Sequence, residues 1–135
     1  MLQCAQVSTC PQAVQSMPGV ARAMNEAPKV VFSRSLDKAS WQNTRLVKSD
    51  PVAQVRRMKA ETGPGMLVMG SGTIVSQLTD AGLVDEYQLV LHPVVLGRGK
   101  TMFDVREKTP LALTKTRVFK NGNVVLWYEH RADAS

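Results

Sequence analysis

The stretch with the clearest chemical potential is Met66-Leu67-Val68-Met69-Gly70-Ser71-Gly72-Thr73-Ile74-Val75-Ser76-Gln77-Leu78. Four apolar residues read as a buried strand, and a Gly-Ser-Gly turn follows at once. A helical pattern then begins, with Ile74, Val75 and Leu78 on one face. A strand that turns through glycines into a helix leaves backbone N–H groups without partners, and the helix dipole adds partial positive charge there. Phosphate suits that arrangement, so Gly70, Ser71, Gly72, Thr73 and Ile74 form the candidate nucleotide contact. The segment lacks the third glycine of the dinucleotide fingerprint and the Gly-Lys-Ser/Thr of the Walker loop. An ordinary strand-to-helix turn, whose glycines serve only close packing, is the competing reading.

Other polar groups offer weaker chemistry. Asp85 and Glu86 are adjacent carboxylates, the residue type of acid–base or metal chemistry. Neighbours in a strand point to opposite faces, so the pair reads as a helix-to-strand turn followed by an edge polar residue. His92, before Pro93, is a general-base candidate by type and a structural residue by its lack of a visible partner. Arg98 and Lys100 could close over an anion or sit in a solvated loop. Two cysteines and two distant histidines do not make a zinc set. No metal ligand and no catalytic residue is assigned.

These groups need elements to hold them. Residues 1–17 are polar and small and read as a loose arm, with 18–130 as the folded α/β domain and 131–135 as a frayed end. Pro18 to Ala27 reads as a short helix ended by Pro28, and Lys29 to Ser33 as a strand. Ser33-Arg34-Ser35-Leu36-Asp37 is a polar turn, and Thr44 to Val47 a second short strand. Asp50 is placed to cap a helix that has Pro51 in its first turn, runs to about Glu61, and buries Val52, Val55 and Met58. Gly63-Pro64-Gly65 breaks the chain before the glycine-bearing unit, and Gly82 ends its helix. Tyr87 to Leu91 is a strand interrupted by His92-Pro93, and Val94-Val95-Leu96 continues the apolar run. Leu111 to Lys120 and Asn123 to Glu129 form a hairpin around a two-residue Asn121-Gly122 turn. The order predicts an α/β sandwich: a mixed sheet with crossover helices and a C-terminal antiparallel hairpin.

Composition narrows the function classes. The 135 residues suit one domain, and 44% hydrophobic with 21% charged residues is ordinary globular composition. No apolar run approaches the roughly 20 residues of a membrane span. No signal-like segment opens the chain, so Cys4 and Cys10 are expected as free thiols in a cytoplasmic protein. The net charge of +6 suits an anionic partner. Basic residues are scattered, however, and aromatics make up only 5%, which argues against a nucleic-acid-stacking surface.

Four stretches together resemble the dihydrofolate reductase-like superfamily, in the branch that shares its domain with the riboflavin-biosynthesis reductase. They are Met24 to Arg34 (MNEAPKVVFSR), Leu67 to Gly72 (LVMGSG), Ala81 to Glu86 (AGLVDE) and His92 to Gly99 (HPVVLGRG). Their order and spacing agree with the family from about Val20 to Glu129. The resemblance implies that Gly70 to Thr73 hold the pyrophosphate of NADPH. It also implies that Ser33, Arg34 and Ser35, at a strand end, meet the adenosine 2′-phosphate, with Lys48 adding charge near the same end. A planar, permanently charged guanidinium beside short hydroxyls suits a phosphate monoester. A solvent-exposed turn arginine is the plain alternative for Arg34.

The match begins only after the family's central strand, with its Asp-Gly element, and the helix and strand that follow it. Those elements line the substrate pocket, so no catalytic residue is carried over. A sheet without them would expose strand edges, and the expectation is a homo-oligomer, most simply a dimer. Two functions follow. One is an NADPH-binding reductase acting on a pterin- or pyrimidine-like substrate once a partner subunit completes the pocket. The other is a catalytically inactive truncated relative serving as an oligomeric scaffold or nucleotide-binding remnant. A nucleic-acid binder using the +6 charge ranks third.

Overall fold

The computed structural model describes residues 17–131; the expectations for residues 1–16, including Cys4 and Cys10, and for 132–135 lie outside them. The chain divides into two compact units, one ending at Gln54 and the other beginning at Val55.

The first unit holds helix α1 (Pro18–Glu26) and strands β1 (Lys29–Phe32) and β2 (Thr44–Val47). Pro18 occupies the first turn of α1, and Ala27, ahead of Pro28, is extended (φ −60°, ψ 137°) as a residue preceding proline must be. Ala21 is the residue of α1 that becomes buried. The end of the helix is closed by Lys29, whose Nζ donates to the carbonyls of Met24 (2.8 Å), Asn25 (3.0 Å) and Ala27 (2.7 Å). The same ammonium lies 4.7 Å from the centre of the Trp41 ring, and Trp41 Nε1 donates to Asn25 Oδ1 at 2.8 Å. Desolvation lowers the pKa of Lys29 from its ordinary value.

Strands β1 and β2 pair in parallel, from Lys29↔Thr44 to Phe32↔Val47. Their connection contains no helix. It returns through Asn43, held at φ 54°, a left-handed conformation that asparagine tolerates. Asn43 accepts the Lys29 N–H at 2.8 Å and donates from Nδ2 to the carbonyls of Asn25 and Glu26.

Helix α2 (Pro51–Ala60) starts as its sequence requires. The Asp50 carboxylate accepts the N–H groups of Val52 and Ala53, both at 3.2 Å, and the Asp50 carbonyl accepts that of Gln54. Val52, Val55 and Met58 share its inner face and are half-buried rather than buried. Asp50→Ala is expected to cost about 1 kcal/mol of stability, read from the denaturation midpoint; Asp50→Ser should recover most of it.

The second unit holds helix α3 (Gly72–Asp80) and strands β3 (Glu86–Leu91), β4 (Leu111–Val118) and β5 (Val124–His130). The strands form one antiparallel sheet in the order β3-β5-β4. Its core gathers Leu78, Tyr87 and Val125 with two buried hydroxyl residues, Ser76 and Thr79. Tyr87 stitches sheet to helix: its hydroxyl bonds Thr79 Oγ1 at 3.1 Å, and its ring meets Phe103 edge-on at 5.9 Å. α3 ends in a Schellman motif. Gly82, at φ 64°, donates to the Thr79 carbonyl, and Leu83 to that of Leu78, both at 2.9 Å.

The α/β class holds, with both parallel and antiparallel pairing. The parallel and antiparallel strands form two separate sheets rather than one mixed sheet. Met66–Met69 is not a buried strand: no strand pairs with it among the described residues, and Leu67 is 80% exposed. Val94–Leu96 likewise does not continue β3, and Val95 is 98% exposed. An apolar run states a demand for burial; only a neighbouring strand turns it into a ladder.

The hairpin turn also differs from the expected two-residue form. Phe119 N–H donates to the Asn123 carbonyl at 2.9 Å, and Gly122 N–H to that of Phe119 at 3.0 Å. Three residues thus lie inside the closing pair, and Gly122, at φ 85°, takes the left-handed position of a bulged turn. β4 carries a register shift between Leu113 and Lys115 and two basic residues stacked on aromatics. Lys115 lies over Trp127 (5.0 Å) and Arg117 over Phe119 (4.5 Å).

Candidate functional site

The glycine turn sits at the start of α3. Gly70 has φ 125°, a conformation that side-chain-bearing residues rarely adopt. Ser71 is the N-cap (φ −75°, ψ 168°); its side chain makes no capping bond, and its carbonyl accepts the Val75 N–H at 3.0 Å. The N–H groups of Gly72, Thr73 and Ile74 are therefore left without acceptors among the described residues. Residues 70–73 are exposed, so this first turn is open to a ligand. Backbone approach is close on one side: a Cβ on Gly72 would lie 3.3 Å from the Met102 carbonyl. Three donors at the positive end of a helix can bind an anion without ionising any side chain.

The second group lies in the first unit, at the carboxyl ends of β1 and β2. Ser33 N–H extends the parallel ladder to the Val47 carbonyl at 3.2 Å. Ser33 Oγ accepts the Leu36 N–H at 3.2 Å and lies 3.4 Å from Ser35 Oγ, so both hydroxyls are drawn into one polar turn. Arg34 between them is exposed and has no hydrogen-bond or ion-pair partner among the described residues. Because the strands run parallel, Lys48 follows β2 at the same end of the sheet. It pairs at 3.4 Å with a fully exposed Asp37, a surface contact worth about 0–1 kcal/mol. The carboxyl edge of parallel strands is where open α/β sheets take ligands.

The two groups stand in different units: Ser33, Arg34 and Ser35 in the first, Gly70 to Ile74 in the second. Of the remaining sequence candidates, Asp85 and His92 have side-chain partners, while Arg98 and Lys100 are exposed and have none among the described residues. Lys59 Nζ donates to both Asp85 carboxylate oxygens (2.7 and 2.6 Å) and to the Leu83 carbonyl (3.0 Å), tying the turn after α3. Glu86 opens β3 opposite Glu129. Asp85, Glu86 and Glu129 border an open depression of about 390 Å³ with Gly82, Val84 and His130, and none of Gly70 to Ile74 lines it. His92 Nδ1 shares a hydrogen bond with Asn123 Oδ1 at 3.2 Å. No group of three or more His, Cys, Asp or Glu among the described residues could hold a metal. None of their helices is long and apolar enough to cross a membrane.

Sequence reading missed Ser76, whose hydroxyl bonds both the Gly72 carbonyl and the Asp104 N–H. A polar residue one turn after the glycines, on the face that buries Leu78 and Thr79, was the available signal. Its partner, a backbone N–H 28 residues away, has no sequence signature.

Known proteins share this architecture. A putative riboflavin biosynthesis protein from Shewanella sp. PV-4 superposes with a TM-score of 0.68 at 20% identity, over 79% of this chain and 62% of that one. A pyrimidine reductase-like protein from Corynebacterium diphtheriae gives 0.56 at 15%, over 77% and 50%. Both are matched in fold. In sequence, the uncharacterized protein YyaP of Bacillus subtilis is 32% identical over 108 residues, which are 79% of this chain and 57% of YyaP. YwjB of the same organism is 28% identical over 90 residues, 66% of this chain and 52% of YwjB. The chain thus spans little more than half the length of these relatives. The family model for the RibD C-terminal domain matches residues 6–126. With the mixed α/β architecture shared by its structural neighbours, this match makes the chain a member of the RibD C-terminal domain family, with a dihydrofolate reductase-like fold.

Proposed function

We propose that this chain is an NADPH-binding, reductase-like protein. The observation that carries the reading is the set of N–H groups at Gly72, Thr73 and Ile74 that find no acceptor among the described residues, in a chain of a reductase-like family. Ser71 and Gly70 shape the turn, and the three N–H groups suit the diphosphate. Arg34, with Ser33 and Ser35, suits the 2′-phosphate: the arginine is engaged by no other described residue, and a guanidinium forms paired hydrogen bonds to phosphate. When bound, NADPH supplies a hydride, and the substrate class proposed from the family is a small pterin- or pyrimidine-like heterocycle. The glycine turn suits a diphosphate through its backbone, and Arg34 suits a monoester through its charge. Neither supplies orientation at the reacting carbon. Titration calorimetry with NADPH and NADH at fixed low salt tests the reading, and preference for NADPH is the expected result. No binding of either cofactor would reject it.

A second reading rests on surface composition. Met66–Met69 and Val94–Leu96 expose apolar side chains, and among the described residues β3 and β4 each have an unpaired edge. Exposed apolar runs and open edges favour association, which supports a homo-oligomer whose neighbouring copy completes the pocket, or a scaffold without turnover. The expected mass by light scattering at micromolar concentration is a multiple of the chain's; a monomeric mass would reject the oligomer. The cytoplasm is the proposed location, from cysteine usage.

A further inference from the structure

Ser76 lies inside α3 and is 6% exposed. Its hydroxyl donates to the Gly72 carbonyl, one turn back, and accepts the Asp104 N–H, both at 2.9 Å. The roles cannot be exchanged, because a carbonyl only accepts and a backbone N–H only donates. A serine bonded to the carbonyl four residues back is a common helical habit. The second bond is the informative one, because it brings a distant segment to the first turn of the helix.

Residues 102–106 are laid along α3 at further points. The Met102 carbonyl passes against Gly72, close enough that a Cβ there would lie 3.3 Å away. Phe103 packs edge-on to Tyr87, which bonds Thr79. The Asp80 carboxylate accepts the Arg106 N–H at 2.9 Å. Of these side-chain anchors, Ser76 alone also holds a group of the glycine turn itself.

We infer that Ser76 is the positioning residue of the glycine turn. It contacts no ligand; it fixes the Met102–Asp104 segment against Gly72, so that the N–H groups of Gly72, Thr73 and Ile74 are aimed before an anion arrives. This rests on the reading of Gly70 to Ile74 as the diphosphate contact. Binding to a turn that must first be ordered is weaker than binding to one already set.

The experiment compares the full chain with Ser76→Ala and Ser76→Thr. Calorimetry uses two probes: NADPH, and adenosine 2′-monophosphate, which carries the phosphate monoester without the diphosphate. Hydrogen exchange at the Asp104 amide is followed in parallel. Ser76→Ala is expected to raise the NADPH Kd about five- to tenfold and to speed Asp104 exchange about tenfold, with adenosine 2′-monophosphate affinity unchanged. Ser76→Thr, which keeps the hydroxyl, should return both to within about twofold of wild type. Unchanged NADPH affinity in Ser76→Ala would overturn the inference alone. So would an equal loss of both probes, since that marks general loosening of the core. A wild-type chain that binds no NADPH would reject the diphosphate reading itself, and the inference with it.

Discussion

Arg34→Ala is expected to weaken NADPH binding about ten- to a hundredfold while leaving NADH affinity within about twofold of wild type. The argument is one of chemistry at one end of the ligand. NADPH and NADH differ by the 2′-phosphate, so a residue that contacts only that group separates them. Arg34 is exposed and engaged by no other residue among those described, so its guanidinium is available without breaking a native contact. Hydrogen bonds to a charged group contribute about 1.5–3 kcal/mol each, and about 1.4 kcal/mol is tenfold in affinity. Arg34→Lys should recover only part of the loss, because an ammonium is a point charge and cannot form the paired contact. Ser33 is a weaker partner, since its Oγ already accepts the Leu36 N–H. Equal loss of both cofactors, or no loss of either, would remove Arg34 from the 2′-phosphate assignment.

Leu78→Ala is expected to cost about 2–5 kcal/mol, the range for a fully buried leucine. Leu78 is 2% exposed, the most deeply buried large side chain among the described residues. It lies one residue before Thr79, whose hydroxyl fixes Tyr87, so the cavity would open beside the contact joining α3 to the sheet. Domains of this size are stable by only about 5–15 kcal/mol, so the loss is a large share of the total. Trp127, in β5, is a local fluorescent reporter once Trp41 in the first unit is replaced by phenylalanine. Denaturant titration should show a lower midpoint with an unchanged slope. A loss below about 1 kcal/mol would show that this core is not what holds the second unit.

How far the sequence reached depended on whether the signal was local. The Asp50 cap, the Pro18 and Pro51 starts and the Gly82 stop were legible because each acts on neighbours within one helical turn. The strands β1, β2, β3 and β5 were legible from β-branched and aromatic runs between turn residues. Met66–Met69 was misread because periodicity reports apolarity and does not name a partner strand. The hairpin was found, but its three-residue loop depends on which of Phe119 and Asn123 close the ladder, a matter of register rather than of residue type. The candidate site divides in the same way. Gly70 to Ile74 are proposed from a short glycine motif, and Ser33 to Ser35 from the family resemblance. Ser76 acts through the Asp104 backbone, which any residue but proline would offer.

Among the described residues, the two edges of the β3-β5-β4 sheet are not equivalent. β4 has a bulge and presents Lys115 and Arg117, devices that discourage a further strand from adding to it. β3 ends Gln88-Leu89-Val90-Leu91 and carries neither a bulge nor a basic residue. In a chain that associates through this sheet, that asymmetry would set a ceiling on growth. Two copies joined β3 to β3 about a two-fold axis would use up both receptive edges and leave only guarded ones outside, so assembly through the sheet would stop at a closed pair. A sheet with two receptive edges would instead have propagated as an open filament.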